Sequence, residues 1–130
     1  MHMRKIVVSV QNGLLAESIS RMLEESSEFL IYRSVVGSRN SLVVDCTMYG
    51  AEIVLMEVSL GRGLSLQSRL EETKQIKHAN SGCKVVLLCD ENTAPDLARE
   101  VALAKKNGLV DGFFYSSVTS TYLVAALASL

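Results

Sequence analysis

"IVLMEVSL", residues 53–60, is the stretch that decides the fold. Four apolar residues run directly into a carboxylate, Glu57, and apolar side chains return at Val58 and Leu60. Gly50 precedes the run, and Gly61 and Gly63 follow it. A short, almost continuous apolar run between glycines reads as a strand buried on both faces, the kind found in parallel sheets. Its acid then lies at or near the C-terminal end of the strand, and in open α/β sheets that edge is where ligands bind.

Segments of the same kind recur along the chain. "KIVVSV" (5–10) is rich in β-branched residues, "FLIYRSVVG" (29–37) reads as a looser second strand, "CKVVLLC" (83–89) as a fourth and "GFFY" (112–115) as a short fifth. Helical patterns separate them. In "LLAESISRMLEES" (14–26), Leu15, Ile19, Met22 and Leu23 fall at helical spacing. Ser38 or Asn40 is suited to cap a second helix running to Tyr49. "LSLQSRLEETKQIKHAN" (64–80) is polar, with Leu66, Leu70 and Ile76 expected on its inner side. Thr93 is suited to cap a helix over 94–107 that carries Pro95 in its first turn and ends at Asn107-Gly108. "SSVTSTYLVAALASL" (116–130) starts in Ser/Thr caps and becomes an apolar helix. Strict alternation of strand and helix predicts an α/β fold: a doubly wound, five-stranded parallel sheet of order 2-1-3-4-5, in three layers with right-handed crossovers. Strands 1, 3 and 4 are the most apolar and are expected at the centre.

Length and composition set the outer limits. A chain of 130 residues can bury one core, so a single domain over 3–130 is expected. Net charge is −1, from 13 basic and 14 acidic residues without blocks of one sign. That points away from non-specific nucleic-acid or anionic-membrane binding. No apolar run of about 18 residues is present to span a membrane, and "MHMRK" is too short to open a signal peptide. Met1 and His2 read as a cloning remnant, and the apolar pattern of "LVAALASL" running to the last residue suggests a domain cut from a longer chain. Cys46, Cys83 and Cys89 form no CxxC pattern; few and odd in number, they suit reduced thiols in a cytoplasmic protein. Neither they nor His2 and His78 have zinc-ligand spacing. With no Ser-His-Asp, Cys-His or metal constellation in view, the chain is not expected to be an enzyme.

The predicted fold presents four strand ends: Val10-Gln11-Asn12, Glu57, Cys89-Asp90 and Tyr115-Ser116. Through "KIVVSVQNGLLAESISRMLEE", "AEIVLMEVSL", "KVVLLCD" and "DGFFYSS" the chain resembles the receiver domain of two-component response regulators over about residues 4–128. The resemblance implies a phosphorelay site: an acidic pair after strand 1 for Mg²⁺, an Asp ending strand 3 that accepts phosphoryl from a histidine kinase, a Ser or Thr ending strand 4 and a Lys ending strand 5. Residue by residue, Val10 and Gln11 stand at the acidic pair, Glu57 at the phosphoacceptor, Cys89 at the hydroxyl and Ser116 at the lysine, with Ser117 where a proline is usual. Phe113 keeps the aromatic that switches rotamer in typical members.

These departures bear on the chemistry. Phosphoryl transfer depends on positioning and on charge neutralisation by metal and cationic side chains. Without the acidic pair and the lysine, ordinary phosphoryl acceptance is not expected, nor is a bound metal or cofactor. The reading is therefore a degenerate, non-catalytic pseudo-receiver, a regulatory module acting by protein–protein contact. The resemblance further implies a dimer or a docked output domain at helix 4, strand 5 and helix 5, where Tyr122 and Leu123 are the expected interface residues. Output domains in this family often regulate transcription, while nothing in these residues themselves reads DNA. Glu57 is open to two readings, a built-in negative charge mimicking phosphorylation or an acid solvated or paired with Arg62 or Lys84. Cys89 is either a redox-sensing thiol or a small packed side chain. The paired lysines Lys105 and Lys106 are either a partner patch or a complement to a helix dipole. The alternative function is a small-ligand sensor using the emptied pocket; flavin is not expected, because "SVQNGLL" lacks a Ser/Thr-rich phosphate loop.

Overall fold

The computed structural model describes residues 3–35, 41–61 and 63–130. Its elements are β1 (Arg4–Ser9), α1 (Gly13–Glu25), β2 (Phe29–Arg33), α2 (Leu42–Tyr49), β3 (Ile53–Val58), α3 (Leu66–Ala79), β4 (Lys84–Cys89), α4 (Pro95–Lys106), β5 (Gly112–Tyr115) and α5 (Ser120–Ala128). The five strands form one parallel sheet of order β2-β1-β3-β4-β5. The expected architecture is therefore the observed one.

Period-two alternation sorts the core into two layers. Val54, Met56 and Val58 of β3 pack with Leu42 and Cys46 of α2, Ile76 of α3 and Leu97 and Val101 of α4. Ile53 and Leu55 pack on the other face with Ile19 and Leu23 of α1 and Leu123 and Leu127 of α5. Because β1, β3 and β4 are covered on both faces, their sequences read as continuous apolar runs.

Local chemistry explains where elements begin and end. Asn12, Ser41, Ser65 and Thr119 each accept a backbone N–H of the first turn of α1, α2, α3 and α5. The cap of α2 is thus Ser41; Ser38 and Asn40, and with them residues 36–37 of the expected second strand, lie outside the described residues, and β2 ends at Arg33. Thr93 does not cap α4: Ala94 holds that position without a side-chain bond, while the Thr93 hydroxyl donates to Asp90 at 2.8 Å. At the other end, Gly108 with φ 75° lets Leu109 N–H close on Ala104 O at 3.0 Å, the left-handed stop that Asn107-Gly108 signalled. Lys105 and Lys106 occupy the last turn of α4, where the helix dipole favours cations.

The Lys77–Asp111 ion pair helps to pin the amino edge of the sheet. Lys77 Nζ lies 2.7 Å from Asp111 Oδ2 and donates to Cys83 O at 3.1 Å, while Val85 N–H donates to the same carboxylate oxygen at 2.8 Å. Burial works to raise the Asp111 carboxyl, but the bonds from Lys77 and Val85 overcome it and hold the group below the ordinary aspartate range. Asp111→Ala is expected to destabilise the domain by about 1–3 kcal/mol at neutral pH, since it strands an ammonium and a backbone N–H. A depressed carboxylate contributes stability that is full above the unfolded value of about 4 and is lost as pH falls through the lower folded value. The gap between wild type and variant in urea melts should therefore close below about pH 4.

Candidate functional site at the carboxyl edge of the sheet

Glu57 falls one residue before the end of β3, opposite Leu88 of β4. Its parity is that of Ile53 and Leu55, which points its side chain toward the α1 face, where the chain turns out of β1. There the Gln11 backbone N–H donates to Glu57 Oε1 at 2.8 Å. The carboxylate is half-buried, and among the described residues its second oxygen accepts no hydrogen bond. A pairing with Lys84 is ruled out by register, because Lys84 stands opposite Ile53 at the amino edge of the sheet. Arg62 lies outside the described residues.

Beneath this edge sits Arg69, a residue that the amphipathic reading of α3 overlooked. Its side chain is only 2% exposed. Nε donates to Glu57 O at 2.8 Å, and Nη2 to Ser9 O at 2.9 Å and Ser9 Oγ at 3.1 Å, while Nη1 reaches Glu72 Oε1 at 3.2 Å. One guanidinium thus binds the carbonyls at the ends of both β1 and β3. Burial lowers its pKa, and Glu72 and Glu57 act against that shift. The buried stripe of α3 is Arg69, Thr73 and Ile76; Leu66 and Leu70, expected inward, are only partly buried. A charged residue at an inner position defeats a hydrophobicity pattern. The available signal was its spacing: Arg69 precedes Thr73 by four and Ile76 by seven, one helical face.

The remaining strand ends form a second group. Asp90, fully exposed, has its carboxyl held low by the Thr93 hydroxyl and by the Asn92 and Thr93 N–H groups, with the Ser116 side chain also beside it. Its oxygens thus serve its own turn. Cys89 is buried, and burial, followed by Glu91 and Asp90, pushes its thiol up to about 11. It is protonated at neutral pH, which supports packing over redox sensing. Ser116 is exposed, and its N–H closes on Cys89 O at 3.0 Å. Phe113 is partly buried toward the α4 side and meets Tyr115 edge-on, with ring centroids 5.5 Å apart. The structure therefore brings Val10, Gln11 and Glu57 together and sets Cys89, Asp90 and Ser116 as a separate pair of strand ends. The two expected interface residues divide: Tyr122 is 63% exposed, whereas Leu123, at 2%, belongs to the core under α5 and cannot lie on an outer surface.

Compared with protein-family models and with curated proteins, the chain matches none. Solved structures match over nearly its whole length. A CheY-like protein (tadZ) from Pseudomonas aeruginosa superposes with TM-score 0.73 at 15% identity, covering 97% of this chain and 98% of that one. A response regulator receiver domain protein from Clostridium thermocellum gives TM-score 0.72 at 20% identity, covering 98% and 93%. The chemotaxis protein CheY4 of Vibrio cholerae gives 0.72 at 13%, covering 98% of each chain. The fold is the receiver fold.

The receiver fold carries an expectation of Mg²⁺ at this edge, and the residues do not fit one. Hard cations take carboxylate and carbonyl oxygens. The positions expected for the acidic pair hold a buried isopropyl group, Val10, and an amide, Gln11. Glu57 is the remaining acid of that constellation, with one oxygen committed to Gln11, and no metal-binding group of three His, Cys, Asp or Glu exists among the described residues.

Two substitutions separate the roles of the edge residues. Arg69→Met should cost about 3 kcal/mol in urea melts, since it leaves two strand-end carbonyls and Ser9 without their donor. Glu57→Gln should change stability by less than about 0.5 kcal/mol, because the amide oxygen can still accept the Gln11 N–H.

Proposed function

We propose that this domain is a receiver-fold regulatory module that works without phosphoryl transfer, through protein–protein contact, within a cytoplasmic two-component-type regulator. One observation carries the reading: the strand-3 acceptor position holds Glu57, tied to Gln11 N–H, beside apolar Val10 and with a serine in place of the lysine. Among the described residues, such an edge presents neither the carboxylate pair nor the lysine on which phosphoryl transfer in this fold would rely. Glu57 supplies a single permanent charge where a phosphoryl group would supply nearly two. The domain has no catalytic role in this reading, and any effect on transcription belongs to an output domain elsewhere in a longer chain.

The contact surface we assign is α4, β5 and α5, for a homodimer or a docked output domain. Phe114 and Tyr122 meet there edge-on at 6.1 Å, and Tyr122 stands open beside Val118 and Thr119. Without a phosphoryl cycle, Phe113 has no reason to change rotamer, so the contact is constitutive. A small-ligand sensor is the second reading, favoured by a cavity of about 370 Å³ lined by Val10, Gln11, Arg33, Ser34 and Val35. Native mass spectrometry of freshly purified protein would reveal its ligand.

Treatment with acetyl phosphate and Mg²⁺ should leave the intact mass unchanged, and Mg²⁺ titration should show no saturation below about 1 mM. A phosphoryl adduct on Glu57 or a neighbour would overturn the reading. Sedimentation at ~100 μM, well above the dissociation constant of a micromolar interface, should show wild type associated and Tyr122→Arg monomeric.

A further inference from the structure

Cys46 and Cys83 are remote in sequence and converge on one cavity. Cys46 belongs to the last turn of α2, and Cys83 is the residue before β4. Both line a cavity of about 250 Å³ at the amino edge of the sheet, with Val43, Ala51, Ile76 and Ala79 in its apolar wall. Both are buried free thiols. A single buried cysteine ordinarily serves as a small apolar side chain. Two that reach the same cavity from different elements form a pair of sulfur donors. They are also close enough for one to bear on the other: after burial itself, Cys83 is the largest cause that pushes the Cys46 thiol up to about 12.

The other polar groups around the cavity are engaged in bonds of their own. Thr47 Oγ1 donates to Val43 O at 2.9 Å, Asn80 Nδ2 donates to Ala51 O at 3.4 Å, and Asn80 Oδ1 accepts the Gly82 N–H at 3.1 Å. The nearby acids are partnered too: Asp45 by the Ser34 hydroxyl, Glu72 by Arg69 and Asp111 by Lys77. What the cavity offers a ligand is therefore two sulfurs in an apolar wall. Among the described residues no group of three His, Cys, Asp or Glu gathers, so a tetrahedral Zn²⁺ or a cation needing six oxygens finds too few ligands. Two thiolates suit a soft closed-shell monovalent ion, which accepts linear two-fold coordination.

We propose that Cys46 and Cys83 form a two-thiolate binding site for a soft monovalent cation of the Cu(I) class, joining α2 to the start of β4. On binding, each S–H bond gives way to a metal–sulfur bond and its proton leaves to solvent. One Cu⁺ and two thiols thus yield a complex of net charge −1 and two protons, with no change of oxidation state. Two ammonium groups stand near that charge. Lys77 Nζ donates to Cys83 O at 3.1 Å, and Lys5 Nζ lies 3.6 Å from where a Cβ on Gly50, in the cavity wall, would stand. The cavity supplies the entry path. The site lies at the opposite edge of the sheet from Glu57, so it stands or falls independently of the regulatory reading.

Cu(I), added anaerobically to the reduced 130-residue chain in competition with a chromophoric Cu(I) chelator, tests the proposal. One ion per chain should bind with Kd below about 1 nM. In weak buffer at pH 7 about two protons should be released per ion, and Tm should rise by several degrees. Ag(I), a redox-inert ion of the same coordination preference, should perturb amide shifts at residues 43–51 and 76–85. Cys46→Ser and Cys83→Ser should each weaken Cu(I) binding at least about 100-fold, with Cys89→Ala, the third cysteine at the opposite edge, leaving it unchanged. Zn²⁺ should bind at least about 1000-fold more weakly than Cu(I). Thermal melts establish that each variant is folded, and the wild-type shift map decides the question where a variant is not. Affinity retained in both serine variants, with shifts confined to the amino terminus, would assign the ion to Met1-His2-Met3 and overturn the proposal. Absence of binding tighter than about 1 μM, or release of no protons, would overturn it as well.

Discussion

The buried guanidinium of Arg69 is the constraint on which the carboxyl edge depends. A charged side chain at 2% exposure carries a desolvation penalty of several kcal/mol, and it persists only where hydrogen bonds offset that penalty. Here the bonds go to Ser9 O, Ser9 Oγ, Glu57 O and Glu72 Oε1, so the fork ties α3 to β1 and β3 at once. A lysine would bring a single nitrogen to oxygens that Arg69 meets with Nε, Nη1 and Nη2 of a planar fork. The strand ends that present Gln11 and Glu57 are therefore set from below by α3.

Above that anchor, the Glu57 carboxylate is engaged by an internal hydrogen bond from the Gln11 N–H. Glu57 accepts a backbone N–H where a metal-binding site would need free carboxylates, and Val10 adds an apolar wall beside it. On the other side of the edge, Asp90 orders its own turn, and Cys89 is packed with its thiol protonated. Among the described residues, one carboxylate oxygen of Glu57 accepts no hydrogen bond, and Leu14, Val35 and Leu60 are exposed on the turns of the same edge.

The two ends of the sheet are held by different devices with one logic. At the amino edge Lys77 and Asp111 join α3 to the β5 entry, and Arg4 reaches the last carbonyls of α5 at 3.3 and 3.4 Å. At the carboxyl edge Arg69 does the joining. Helix α3 thus contributes a cation toward each end of the sheet, Arg69 at the carboxyl edge and Lys77 at the amino edge. Where α2 meets β2, Tyr32 and Tyr49 stack at 4.2 Å, and Ser34 donates to the buried Asp45 at 2.6 Å.

The order of strands, their central members and the placement of Glu57 at a strand end were legible in the chain itself. Continuous apolar runs between glycines and Ser/Thr caps are local signals, and a parallel sheet with right-handed crossovers leaves few ways to combine them. That Val10, Gln11, Cys89 and Ser116 differ from the residues expected of a phosphoryl-transfer site is a matter of residue type, and so belongs to the sequence. Tertiary structure alone decided the rest. Leu123 and Tyr122 are adjacent in sequence and equally suited to an interface, yet one fills the core and the other meets solvent, because helix rotation is set by what α5 packs against. Arg69 looked like an outer-face charge until two strand ends converged on it. The partner of Glu57 is a backbone N–H from another strand's turn, a donor that every residue but proline carries and that no residue pattern can therefore reveal.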